Sequence, residues 1–432
     1  MNHPSLSRLR AWVIAAGVMG GLPATPAWAQ RAELPGGPRV SSSSSTAPRP
    51  ATVTLAAALD AAWQRAVAAR ESDAQRGRAV AERAAAGSLW AAAPALELSH
   101  RSDRWQGDAG QRETEISLAV PLWLPGQRAA RSATADAAAA QAEASAAVAR
   151  LHLAGELREV AWALVAYQAE ATGTDLHLRV LRQLADDVER RVRAGDLARA
   201  DSLAAQAELL VAVAQQAEAR QRIHLVRARW TLLTGLPADL ELRAEAVAAG
   251  ADGVASPTHP EIQLASQSTA HARRRLELLR HSRRDAPELM IGMRRDVADR
   301  MQPSQGSVVV GLRLPFGTDA RNKPLEATAL GEVDVSQTTE QRVRDRVESD
   351  IATARAVLQS AQAQWHAEST RAALLRDRAA LIDRSFRAGE TALPDQLRAL
   401  AAAAQADSAS TRQQAALGLA HARLQQSLGL LP

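Results

Sequence analysis

The sequence predicts a mainly α-helical chain with a smaller β-barrel portion, built as a tandem duplication. Three observations predict it. Apolar residues make up 47% of the 432 positions but aromatic ones only 3%, and the excess is alanine. Ala-rich sequence interspersed with Leu, Arg, Glu and Gln favours long, closely packed helices. Landmarks recur at one offset: Gly195 and Gly389, Pro121 and Pro315, and Gly235 and Gly429 are each 194 positions apart, and Pro94 with Pro287 and Asp103 with Asp296 are each 193 apart. Finally, each half holds two alternating apolar–polar stretches separated by a polar loop, the pattern of a β-hairpin.

Taken in order, residues 1–29 read as a secretory signal. Arg8 and Arg10 precede an apolar core from Ala11 to Leu22, and Ala27-Trp28-Ala29 is a small-x-small cleavage site. Residues 30–51, with Pro-Gly-Gly-Pro and a run of serines, read as a flexible leader. The first repeat spans 52–245: a helix over about 54–92, a β-hairpin at 94–125, a long helix at 126–193 and a return helix at 196–235. A linker at 246–258 joins it to the second repeat, 259–432. That repeat has a helix to about 285, a hairpin at 287–316, a long helix at 317–387 and a return helix at 390–428.

In the first hairpin Leu96 and Leu98 alternate with Glu97 and Ser99, and Ile116, Leu118, Val120 and Leu122 share one face. In the second, Leu289, Ile291 and Met293 share one face, as do Val308, Val310, Leu312 and Leu314. Strands of about 10 residues, apolar on one side and polar on the other, suit a barrel that faces lipid outward and water inward. Trp90 and Trp123 flank the first hairpin away from its loop, where interfacial aromatics sit. Trp63, Trp162, Trp230 and Trp365 fall within helices, as packing residues. The long helices show helical apolar spacing, such as Leu153, Leu157, Val160 and Leu164. At 1.5 Å per residue each is roughly 100 Å long. The return helix and the 259–285 helix, stacked end to end, match that length. Four strands cannot close a barrel, so the subunit must oligomerise, and three copies would supply twelve.

The formal net charge of +5 comes from interspersed acids and bases, the pattern of solvated helix faces rather than of nucleic-acid binding. There are no cysteines, which excludes disulfides, thiolate chemistry and an N-terminal lipid on Cys. The ten histidines show no metal-binding spacing, and no nucleophile elbow, triad or phosphate loop is present. The sequence therefore predicts no enzyme, no cofactor and no resident metal.

The duplicated strand–Pro–helix entry (VPLWLPGQRAARSATADAA), the paired turns RRVRAGDLARADSL and SFRAGETALPDQL, and the endings LTGLP and SLGLL together resemble the TolC family of outer-membrane efflux channels. The ending VRARWTLLTGLP is similar to the heavy-metal, CzcC- and CusC-like branch. The resemblance covers nearly all of the chain after the leader. It implies a homotrimer with a barrel in outer-membrane lipid and a helical tunnel across the periplasm. It also implies a periplasmic adaptor (membrane fusion protein) and an inner-membrane pump of the RND type as partners. Heavy-metal cations are the implied substrate, with drugs or other small organic molecules as the alternative.

On that resemblance Arg193, Gly195, Asp196, Phe386, Arg387, Gly389 and Glu390 lie at adaptor-contacting tips, and Asp395 lines the periplasmic constriction. Asp201 is its counterpart in the first half. Arg398 stands where the family has a second gate acid, and Val192 where it often has an aromatic. On residue chemistry alone the glycines are helix caps, and the acids are first-turn partners of the helix dipole. Two rival functions remain: a periplasmic adaptor, and a coiled-coil structural protein of an export complex.

Overall fold

The computed structural model describes residues 53–105, 107, 109–238, 257–316 and 319–432. The predicted signal, the leader and most of the linker lie outside the described residues. The first element is α1 (Leu55–Arg65), followed by α2 (Val67–Ala86), β1 (Ala95–Ser102), β2 (Arg112–Pro121), α3 (Gln127–Ala194) and α4 (Arg199–Thr234). Then come α5 (Pro260–His281), β3 (Glu288–Val297), β4 (Gln305–Arg313), α6 (Asp319–Arg387) and α7 (Leu393–Ser427).

The strands form one antiparallel sheet in the order β1-β2-β3-β4. Its register aligns the apolar positions of all four strands. Leu96, Leu118, Ile291 and Val310 form one row, and Leu98, Ile116, Met293 and Val308 the next. Gly292 permits a close approach of β3 to β2: a Cβ there would lie 2.7 Å from the Ile116 carbonyl oxygen.

Below the sheet the helices lie side by side. Next to the strands the neighbours run α2, α3, α5, α6; toward the far end they run α4, α3, α7, α6. Alanine makes this packing possible. Ala205, Ala212 and Ala219 of α4 are buried seven residues apart, and Val226 and Leu233 continue the stripe. On α6, Ala372, Ala379 and Phe386 are buried at the same interval. A seven-residue repeat gives a left-handed coiled coil, and a small knob lets the axes approach. Ion pairs bridge the seams, among them Arg76–Glu143 at 2.7 Å, Arg222–Glu170 at 2.9 Å, Arg376–Asp407 at 3.2 Å and Arg423–Glu159 at 2.7 Å. Such exposed pairs contribute about 0–1 kcal/mol each, and set register more than stability.

Two predictions differ from what is observed. The helix expected over 54–92 ends at Ala86 and breaks at Ala66, whose backbone is extended at φ −69°, ψ 138°. The break turns Ala58, Leu59 and Ala62 onto Trp230, which is 0% exposed at the end of α4. The return helices begin at Arg199 and Leu393, three residues or so later than expected, because the residues that precede them, Ala198 and Ala392, are extended. The end-to-end stacking of a return helix on the helix that starts near 259 is made by α7. The return helix α4 does not continue into α5, its neighbour in sequence; its end packs on α1, through Trp230. The end of α7 meets α5 instead: Leu428 packs with Ile262, Val347 and Ile351, and Gly429 touches His259 and Pro260. Each return helix therefore stacks on the entry helix of its own half.

Candidate functional site

The far ends of α3 and α6 close with the same hydrogen-bond pattern. The Asp196 N–H donates to the Arg191 carbonyl at 2.9 Å and the Gly195 N–H to the Val192 carbonyl at 3.1 Å. The Glu390 N–H donates to the Ser385 carbonyl at 3.0 Å and the Gly389 N–H to the Phe386 carbonyl at 3.1 Å. This paired Schellman geometry needs a left-handed residue, and Gly195 and Gly389 take φ 89° and 82°. Arg193, Asp196, Arg387 and Glu390 are all exposed around these turns. Arg387 pairs with Asp383 at 2.8 Å, and Glu390 accepts from the Ser385 hydroxyl at 3.4 Å.

Phe386 is placed differently from these surface residues. It is 3% exposed and packs with Ala185, Val188, Ala205 and Leu393, with Val192 against the same cluster. The Arg191 guanidinium covers its ring at 5.0 Å from the centroid. Phe386 and Val192 thus share one core that joins the two tips, and Phe386 presents no surface of its own.

Asp201 and Asp395 both occupy the third position of their helices but do different things. The Asp201 carboxylate accepts from the Ala198 N–H at 3.1 Å, capping its own helix. The Asp395 carboxylate pairs with Arg398 at 2.9 Å, with 52% and 76% of the two side chains exposed. The position matching Arg398 in the first half is Ala204, which offers no such partner. Beside Asp395, Gln396 is 1% exposed and donates to Asp383 at 2.9 Å. Asp383 thereby ties the α6 tip to the first turn of α7. Sequence reasoning passed over Asp383 and Gln396, although the Asp383–Arg387 spacing is the one at which helical ion pairs form.

At the stacking junction Arg158 is 1% exposed. Its Nη1 donates to Gln426 Oε1 at 2.7 Å and to the Leu430 carbonyl at 3.0 Å. Nearby, His259 caps α5 by accepting from the Glu261 N–H at Nδ1, 3.2 Å away, and burial pushes its imidazole below the usual histidine range. Burial alone would raise the Glu261 carboxyl, but the hydrogen bond from His152 and the charge of Arg346 outweigh it and lower the carboxyl. Among the described residues no group of three His, Asp or Glu could hold a metal ion.

At the other end, the sheet separates its side chains by face. Leu96, Leu98, Ile116, Leu118, Ile291, Met293, Val308, Val310 and Leu312 lie on one face, each at least 44% exposed. Every acidic strand residue (Glu97, Glu113, Glu115, Glu288 and Asp296) lies on the other face. There Arg294 meets Glu113 and Asp296, each at 3.0 Å. Trp90 and Trp123 sit where the sheet meets the helices. Trp90 is 41% exposed, and the Trp123 indole donates to the Ser88 carbonyl at 3.1 Å while Arg131 stacks over its ring at 5.7 Å. No described helix is long and apolar enough to cross a membrane.

No protein-family profile and no curated protein sequence matches this chain. Solved structures do. The outer membrane protein VceC of Vibrio cholerae matches with a TM-score of 0.70 at 16% identity over 87% of this chain and 96% of its own. CusC, described by its channel-forming conformational changes, matches at 0.71 with 15% identity over 88% and 93%. The MtrE outer membrane channel of Neisseria gonorrhoeae matches at 0.67 with 18% identity over 87% and 89%. Four strands continued by two coiled-coil hairpins, matched over nearly the whole length of each relative, give this chain the fold of these outer-membrane channel subunits.

Proposed function

We propose that this protein is the outer-membrane channel of a tripartite efflux system, passively conducting what an inner-membrane pump exports. The observation that carries the proposal is the sheet, with apolar rows exposed on one face and all its strand carboxylates on the other. A soluble protein would cover the first face; a barrel turns it to lipid and turns the second to water. β1 and β4 leave an open edge each, and an open edge in a bilayer is untenable. Three copies joined edge to edge form a closed barrel, and their helices continue it as a tunnel. Full-length protein reconstituted in a planar bilayer should give stepwise ohmic conductance. Recovery from the soluble periplasm, or a silent bilayer, would overturn this function.

The tips then face the periplasm. Arg193, Gly195, Asp196, Arg387, Gly389 and Glu390 supply the surface that docks the adaptor, and Phe386 stiffens it from within. Asp395 lines the constriction with Arg398, so the threefold ring is of ion pairs rather than bare carboxylates. Arg398→Ala exposes three carboxylates, and the expected result is a reversal potential shifted toward cation selectivity. Unchanged selectivity would remove Asp395 from the conducting path. Heavy-metal cations are the proposed substrate, on the similarity of the α4 ending to that branch of channels. Deletion should sensitise cells to metal salts; sensitivity to hydrophobic drugs alone would reject that substrate.

A further inference from the structure

We propose that the loop end of the lipid-facing sheet surface binds the phosphorylated headgroups of outer-leaflet lipid. The inference rests on the channel reading and concerns charge rather than apolarity. The face that carries Leu96 and Leu98 also carries His100; the face of Ile116 also carries Arg112; the face of Met293 also carries Arg295. All three are exposed and lie just past the apolar rows, toward the hairpin loops. Their register makes them one cluster. His100 pairs across to Thr114 and Thr114 to Arg295, with Arg112 one step nearer the loop.

No acidic strand residue shares this face. Among the described residues no carboxylate pairs with Arg112 or Arg295. The nearest polar contacts are neutral: Arg295 donates to the Ser304 hydroxyl at 3.0 Å, and His100 Nδ1 lies 2.9 Å from the Thr114 hydroxyl. The opposite face at the same height is balanced, with Arg101 opposite Glu113 and Arg294 between Glu113 and Asp296. Arginines without a carboxylate partner on a lipid-facing surface favour an anion from outside the protein. Their height fits. From Pro121 to Arg112 the strand rises roughly 30 Å, or about 23 Å at a tilt of ~40°, close to the apolar band of a membrane barrel. With Trp123 at one interface, Arg112 stands at the other, among headgroups. Arginine suits phosphate because its planar fork donates two hydrogen bonds to one anion.

The test uses full-length protein in phosphatidylcholine nanodiscs, titrated with fluorescently labelled lipid A and read by energy transfer from tryptophan. Lipid A should associate in preference to labelled phosphatidylcholine. Arg112→Gln and Arg295→Gln should each weaken that preference about fivefold, an increment typical of one arginine at an anionic membrane surface. Arg101→Gln, on the opposite face, should leave it unchanged, and dephosphorylated lipid A should show no preference. An unaffected double variant R112Q/R295Q, an equal loss in R101Q, or equal binding of the dephosphorylated lipid would each overturn the inference. Failure to enter nanodiscs of any composition would instead count against the channel function itself. Insertion with normal conductance but no lipid A preference would sink this inference alone.

Discussion

A Cβ built on Gly418 would lie 2.1 Å from the Trp162 ring, so this contact between α7 and α3 leaves no room for a methyl group. Gly418→Ala should cost about 1–3 kcal/mol through overpacking, visible as a lowered thermal midpoint. The double variant with Trp162→Leu should recover part of it; no recovery would place the strain elsewhere. The tip glycines pose a different problem. Nothing lies within 4 Å of a Cβ at Gly195 or Gly389, so alanine there meets only the left-handed backbone penalty of roughly 1–2 kcal/mol. Gly389→Ala should speed amide exchange in the last turn of α6 by roughly tenfold, the exchange equivalent of such a penalty. Gly389→Asn should restore much of the protection, and equal exchange in all three proteins would contradict the cap assignment. These glycines were legible in the sequence because a left-handed cap has a residue signature. Arg158 was not, since a buried arginine and a surface one look alike until the fold supplies Gln426 and Leu430 as acceptors.

Among the elements, the strands and long helices could be read because their periods differ and each is sustained. The breaks between helices could not. Ala66 interrupts α1 and α2 without glycine or proline. The cause is tertiary: α1 turns so that Leu59 can reach Trp230. Which return helix stacks on α5 was likewise hidden, because the junction pairs residues far apart in sequence, Leu428 with Ile262. That junction should respond to acid. His259 is lowered by burial, so its neutral form belongs to the folded state. Stability from it is present above the ordinary histidine pKa of ~6.5 and is lost as pH falls below that value. Protonation would also remove the acceptor that caps the Glu261 N–H. Amide-exchange protection at the start of α5, referred to the intrinsic rate at each pH, should therefore fall as pH drops below about 6.5. His259→Asn, which keeps a capping acceptor and cannot titrate, should flatten the dependence; an unchanged slope would assign it to Glu261 and its partners.

At the scale of the whole molecule, the two open sheet edges predict a closed oligomer. The chain has no cysteines, so an introduced pair gives an unambiguous readout. Cysteine at Leu98 on β1, scanned against single cysteines along β4, should crosslink into a ladder that ends at three chains. A longer ladder, or none at any register, would rule out the edge-to-edge trimer. The Arg158 lock has a further consequence for biosynthesis. Two acceptors of a guanidinium in the middle of α3 belong to residues 426 and 430, which the ribosome makes some 270 positions later. Until those residues arrive, α3 lacks these two acceptors from the end of the chain, and a hydrogen bond to a charged group contributes about 1.5–3 kcal/mol. The junction in the middle of the first long helix therefore closes only when the last residues of the chain have been made.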